Sequence, residues 1–214
     1  MKRRQALVGL PVVAVLLLVG GGVTLAQDES ASPDGASGPQ ITVTGREYAF
    51  GDLPTSVPIG TRLAFMNTGA EAHELIVARK NDGVTESWDE LIAMPEEEAF
   101  AKVTTLGPLF ANPGETAAFG IGPTGPAPMT ALTLEQEGDY IALCFIPQGT
   151  TELPDFSAEA APPSPDASMS QPPQGPPHFV LGMRQEFTVT PAGSSPGPLP
   201  PAASAAAPEE SPAS

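Results

Sequence analysis

In QITVTGREYAF, residues 40–50, Ile41 and Val43 alternate with polar neighbours, and the alternation resumes at Tyr48 and Phe50. A period of two marks a strand with one buried face. TRLAFMN (61–67) sets Leu63 and Phe65 on one face and stops at Asn67-Thr68-Gly69, a turn signal. HELIVARK (73–80) is a continuous β-prone run that begins at His73, and ETAAFGI (115–121) follows a second turn signal, Asn112-Pro113-Gly114. GDYIALCFIP (138–147) alternates cleanly, with Tyr140, Ala142, Cys144 and Ile146 on one face and Ile141, Leu143 and Phe145 on the other. RQEFTVTP (184–191) closes the series with Phe187 and Val189. Short strands divided by Gly/Pro turns predict a mainly β protein built as a sandwich.

Between the third and fourth of these strands the period changes. Ser87-Trp88-Asp89-Glu90 fits a capping box, which places Trp88, Leu91 and Ile92 toward the core. Pro95 stops that turn and suits the start of a second helix, whose positive end Glu96, Glu97 and Glu98 would complement. The glutamate run is therefore read as helix chemistry and not as a metal cluster.

Composition then limits how much of the chain folds. Residues 27–39 read as a flexible linker, while 147–177 and 191–214 are rich in Pro, Ala and Ser and nearly free of large apolar residues. Such segments bury too little surface to offset the entropy of ordering them. The expectation is one domain over 40–190 with a Pro-rich insert at about 147–177, followed by a disordered tail over 191–214. Residues 1–26 carry Lys2, Arg3 and Arg4, then an apolar run, then small residues ending in TLA. That order is a secretory signal peptide, or an N-terminal anchor if it is not cleaved. Either reading puts the rest of the chain outside the cytoplasm, extracellular or periplasmic, with membrane attachment only through an uncleaved N-terminus.

Without residues 1–26 the chain has six basic and 25 acidic side chains, a net charge of −19. Nucleic acid and anionic membranes repel such a surface, and a basic partner protein is attracted to it. The chain has no G-x-S-x-G, C-x-x-C, H-E-x-x-H or Walker-type loop, so nothing points to an enzyme.

The soft and imidazole donors are few: His73, Cys144, His178 and, five residues after the last, Met183. All four fall at loop–strand junctions, which a Greek-key sandwich can gather at one end. Two imidazoles, a thiolate and a weak axial thioether suit copper cycling between two oxidation states. Each residue also has an ordinary reading: a small buried hydrophobe for Cys144, structural histidines, a core methionine. An unpaired thiol in an exported protein is, however, an oxidation liability.

The order His…Cys…His-x4-Met, with DYIALCFIP leading toward PPHFVLGM, resembles the cupredoxins, the plastocyanin- and azurin-like blue copper proteins. LPTSVPIGTRLAFMNTGAEAHELIV is similar to the early strands of that family. The resemblance covers roughly 40–146 and 178–190. It implies an eight-stranded Greek-key sandwich, one type 1 copper and single-electron transfer; a redox partner protein and a monomeric chain are the accompanying expectations. On that match His73 and His178 are the imidazole ligands, Cys144 the thiolate and Met183 the axial thioether. Two departures stand out. Thirty-three residues separate Cys144 from His178, where the family has a tight ligand loop, although closure entropy grows only logarithmically with length. Glu74 follows the first His where the family often has Asn, and strand alternation points its side chain outward. His178, between Pro177 and Phe179, is expected to present its ring edge in an apolar surface patch. Two alternatives stay open: a copper-free interaction module of the same fold, and a copper delivery or storage protein.

Overall fold

A computed structural model describes residues 38–122, 124–153 and 175–201. The signal peptide or anchor, most of the linker, most of the Pro-rich insert and the end of the tail lie outside the described residues. Eleven strands and two helices follow in order: β1 Gln40–Arg46, β2 Ala49–Gly51, β3 Ser56–Pro58, β4 Arg62–Asn67, β5 His73–Lys80, α1 Trp88–Ala93, α2 Glu96–Lys102, β6 Val103–Ala111, β7 Phe119–Gly122, β8 Gly125–Pro128, β9 Leu132–Thr133, β10 Gly138–Leu143 and β11 Arg184–Thr190.

The strands form two sheets, β2-β1-β4-β9 and β3-β11-β10-β5-β6-β7-β8. Alternation decides what lies between them. Val43, Leu63 and Phe65 from the smaller sheet meet Leu75, Val77, Tyr140, Ala142, Phe187 and Val189 from the larger one in a single buried core. This is the expected β-sandwich. The opposite face of the larger sheet is also covered. Ala78, Ile141 and Leu143 pack there against Trp88 and Leu91 of α1. The capping box that opens α1 is present in full: Glu90 N–H donates to Ser87 Oγ, and Ser87 N–H donates to the Glu90 carboxylate. Glu96, Glu97 and Glu98 occupy the first turn of α2.

Several strands differ from expectation. Residues 40–50 are two antiparallel strands, with Thr44 opposite Gly51 and Arg46 opposite Ala49, because the chain reverses at Glu47-Tyr48. β6 escapes the alternation pattern because Gly107, at φ +90°, and Pro108 interrupt it opposite a register shift between Leu75 and Val77 of β5. Such a bulge reads in sequence as a turn. Of ETAAFGI (115–121) only residues 119–121 lie in a strand, β7, which runs on to Gly122. The short strands β3, β8 and β9 are too brief to show a period, and the count of eleven among the described residues replaces the eight that the resemblance implies.

The tail also departs from expectation as far as it is described. Thr55 N–H donates to Pro198 O (2.9 Å) and Gly197 N–H donates to Ser56 O (2.8 Å), so residues 197–198 run along the chain beside β3.

Candidate metal centre

β5 and β10 are antiparallel neighbours, with Leu143 opposite Ile76. This pairing sets the start of one strand, His73, beside the end of the other, after which Cys144 follows directly. His178 arrives by a different route. Its N–H donates to Ile146 O (2.9 Å), and Phe179 N–H donates to Cys144 O (2.8 Å). Further out, Pro147 and Pro177 form an isolated bridge, Gln148 N–H donates to Pro176 O, and Gly175 N–H donates to Gln148 O. The two ends of the long excursion are thus tied side by side before they reach the donors. The extra residues lie beyond this stem, which is why 33 intervening positions do not part Cys144 from His178.

His73, Cys144 and His178 converge, with their donor atoms all within 4.8 Å of one another and all three residues buried. His73 Nδ1 lies 3.0 Å from His178 Nδ1, and Cys144 Sγ lies 3.4 Å from His178 Nδ1. Donors that share one ion at about 2 Å each lie less than about 4 Å apart, so these two separations suit one shared ion. Met183 is fully buried in the same core as Cys144, and it lies near His73. Its N–H donates to His178 O (2.9 Å), closing the turn that carries both residues.

The outward nitrogens of both imidazoles face carboxylates. His178 Nε2 is 2.9 Å from Glu71 Oε2, and His73 Nε2 is 3.7 Å from Glu47 Oε1. His73 Nε2 has no hydrogen-bond partner although it is buried. Gly69 makes this approach possible: a Cβ there would overlap Glu47 Oε1 and come within 2.9 Å of His73 Nε2. Glu47 Oε1 also accepts from the N–H groups of Ala70 and Glu71. Asn67 ties the same loop down, donating to Glu71 O and Ala111 O and accepting from Gly69 N–H.

His178 does not present an edge to solvent. It is fully buried because Glu71 covers its Nε2 and the Tyr48 ring, 5.0 Å between centroids, lies against it. The expectation for Glu74 also needs correction. Alternation does turn Glu74 to the face opposite His73, but residues 144–145 cover that face, leaving Glu74 6% exposed. Its Oε1 accepts from Phe145 N–H (2.8 Å), and its own N–H points at Cys144 Sγ (3.5 Å). Glu74 therefore ties the two donor segments together.

Burial sets the proton affinities. It pushes the Cys144 thiol up to about 12 and pulls His73 down to about 4, the latter helped by the neighbouring His178. His178 is lowered by burial too. Both imidazoles are therefore neutral at neutral pH, and the 3.7 Å approach of Glu47 to His73 is not an ion pair there. Neutral nitrogen lone pairs and a displaceable thiol proton are what a soft cation requires. The donor types, their convergence and their burial fit copper.

Sequence reasoning missed Glu47, Glu71 and Asn67 as parts of the site. Asn67 is visible in the sequence as a turn residue and as the end of the strand that resembles the family's, with no role at the site, and the two glutamates carry no local signal, since their role depends on tertiary approach.

No family model matches the chain, and no curated protein matches it. Among solved structures it is similar to auracyanin B, with 18% identity, 73% of this chain and 91% of that chain covered, and a TM-score of 0.37. It is also similar to Na-dithionite reduced auracyanin from the photosynthetic bacterium Roseiflexus castenholzii, with 19% identity, 73% and 100% covered, and a TM-score of 0.36. Auracyanin is a cupredoxin. The two-sheet sandwich, and the buried His–Cys–His cluster where β5 begins and β10 ends, agree with the resemblance read from the sequence.

Proposed function

We propose that the chain is a copper protein of the type 1 class that carries single electrons, with His73, His178 and Cys144 as ligands and Met183 as the axial thioether. The observation that carries this reading is the convergence of three buried donors within 4.8 Å, both imidazoles turned with Nδ1 inward. Copper bound there would supply one-electron redox chemistry. The chain's own residues would do the rest. Cys144, held between Glu74 N–H and the His178 ring, gives up its proton to become the thiolate. The two sheets and the 147–177 stem hold the imidazoles in place, which limits rearrangement when the charge changes. Burial of all three donors supports a carrier over a delivery protein, since cargo has to leave through an accessible site. The gathering of three metal-donor side chains at one buried point also counts against a copper-free interaction module, which has no use for it. The N-terminal pattern supports an exported protein, and the acidic surface supports a redox partner with basic character.

The test is titration of the full chain with Cu(II), followed by absorption, beside Cys144→Ser. An intense visible thiolate-to-copper band that saturates at one equivalent and is absent from the variant is the expected result. No band from folded protein with a reduced thiol would remove the electron-carrier reading.

A further inference from the structure

Glu71 meets donors through both carboxylate oxygens. The Tyr48 hydroxyl donates to Oε1 (3.3 Å) and Gly149 N–H donates to Oε2 (2.8 Å). His178 Nε2 lies 2.9 Å from that same Oε2. A carboxylate offers only acceptors, so the imidazole nitrogen facing it must carry a proton. A neutral imidazole has one proton to place. With it on Nε2, the Nδ1 lone pair faces His73 Nδ1 and Cys144 Sγ, the direction in which a ligand nitrogen must point.

We infer that Glu71 is a positioning residue: it holds His178 in the tautomer whose Nδ1 lone pair points into the cluster, and it closes the remote edge of the ring against water. Its own placement is secured at both main-chain groups, since Glu71 N–H donates to Glu47 Oε1 (2.8 Å) and Glu71 O accepts from Asn67 (2.8 Å). Gly149 belongs to the outgoing arm of the stem, so Glu71 also fastens the long excursion to the loop that precedes β5. The two imidazoles are held unequally. Glu47 stands 3.7 Å from His73 Nε2, too far for a hydrogen bond, and His73 is oriented by packing at the start of β5. Outer partners of this kind fix a ligand's ring and raise its basicity. The consequence for copper rests on the proposed function, whereas the tautomer is a property of the metal-free chain.

The experiment is ¹⁵N NMR of the imidazoles in the metal-free full chain, with Glu71→Ala and Glu71→Gln alongside, followed by chelator competition for Cu(II). The expected wild-type signal is His178 protonated at Nε2, with that proton exchanging slowly. Glu71→Ala should lose the slow exchange and bind Cu(II) about 10- to 100-fold more weakly. Glu71→Gln, which keeps an acceptor oxygen, should restore most of both properties. Wild-type His178 protonated at Nδ1 overturns the inference without recourse to any variant, which covers the case in which Glu71→Ala fails to fold. So does a folded Glu71→Ala protein with unchanged tautomer, exchange and affinity. A protected Nε2–H in a chain that binds no copper overturns the copper reading and leaves the positioning role standing.

Discussion

Glu74 sits where two opposing demands meet. Its carboxyl accepts the Phe145 N–H and so joins β5 to the Cys144 segment, yet burial raises its proton affinity from 4.5 to about 7. Between those values the folded chain keeps a proton that the unfolded chain has released. Stability from this group is therefore present below the lower value and is lost as pH rises through about 7. His73 acts in the opposite sense. Its affinity is lowered from 6.5 to about 4, so its contribution is present above 6.5 and is lost as pH falls through about 4. Comparison with Glu74→Gln separates the two, because glutamine keeps an acceptor for Phe145 N–H and cannot ionise. Metal-free Glu74→Gln should be more stable than wild type above pH 7, by on the order of 3 kcal/mol, and the gain should vanish in acid. Urea unfolding across pH measures this, and parallel curves for the two proteins would contradict it. At this scale the sequence singled out three residues that the fold gathers at one point. His73, Cys144 and His178 are rare residue types at strand ends, and the structure brings them together. It did not disclose exposure: alternation assigned Glu74 to the correct face and said nothing of what covers that face, and nothing near His178 foretold the Glu71 carboxylate.

Among the elements, those with a long uninterrupted period were legible. β5 and α1 have the bounds that HELIVARK and the capping box imply, and β10 has its expected start and its two faces, one toward the inter-sheet core and one toward α1. Elements defined by their partners were not. β6 hides behind Gly107-Pro108, and β3 is three residues whose strand character comes from parallel pairing with β11. The chain after β11 is the clearest case, because Pro/Ser/Gly composition argued for disorder while residues 197–198 hydrogen-bond beside Thr55 and Ser56. Local composition cannot report a strap whose partners lie about 140 positions earlier. Truncation after Ala192 would remove the Thr55–Pro198 and Gly197–Ser56 backbone bonds together with the Thr55 hydroxyl bond to Pro198. The expected cost is roughly 2 kcal/mol, at about 0.5–1.5 kcal/mol for each bond. Chemical denaturation of the truncated chain tests it, and an unchanged midpoint would mean that the strap contributes nothing.

Beyond the Lys2-Arg3-Arg4 cluster, which belongs to residues 1–26, the chain carries six basic and 25 acidic side chains, a net charge of −19. On the proposed function, encounters with a cationic redox partner would be steered by attraction, which salt screens over about 10 Å at 0.1 M. Electron exchange between the copper-loaded chain and a cationic probe should slow about tenfold or more as salt is raised, while exchange with an anionic probe should quicken. Stopped-flow mixing at several ionic strengths measures both, and the same trend for both probes would remove charge from the account of partner choice.

The stem at Pro147 and Pro177 gives this site two different rulers. Along the chain, Cys144 and His178 stand 33 residues apart; across hydrogen bonds, Phe179 N–H reaches Cys144 O directly. The donors register only the second distance. Insertions and deletions between positions 153 and 175, past the bonds that Gly149, Thr150 and Leu153 make to the site loops, are therefore expected to be nearly neutral for the geometry of the three donors. A pattern written in residue spacings loses such a site as the segment grows, while one written in strand ends and cross-chain bonds keeps it.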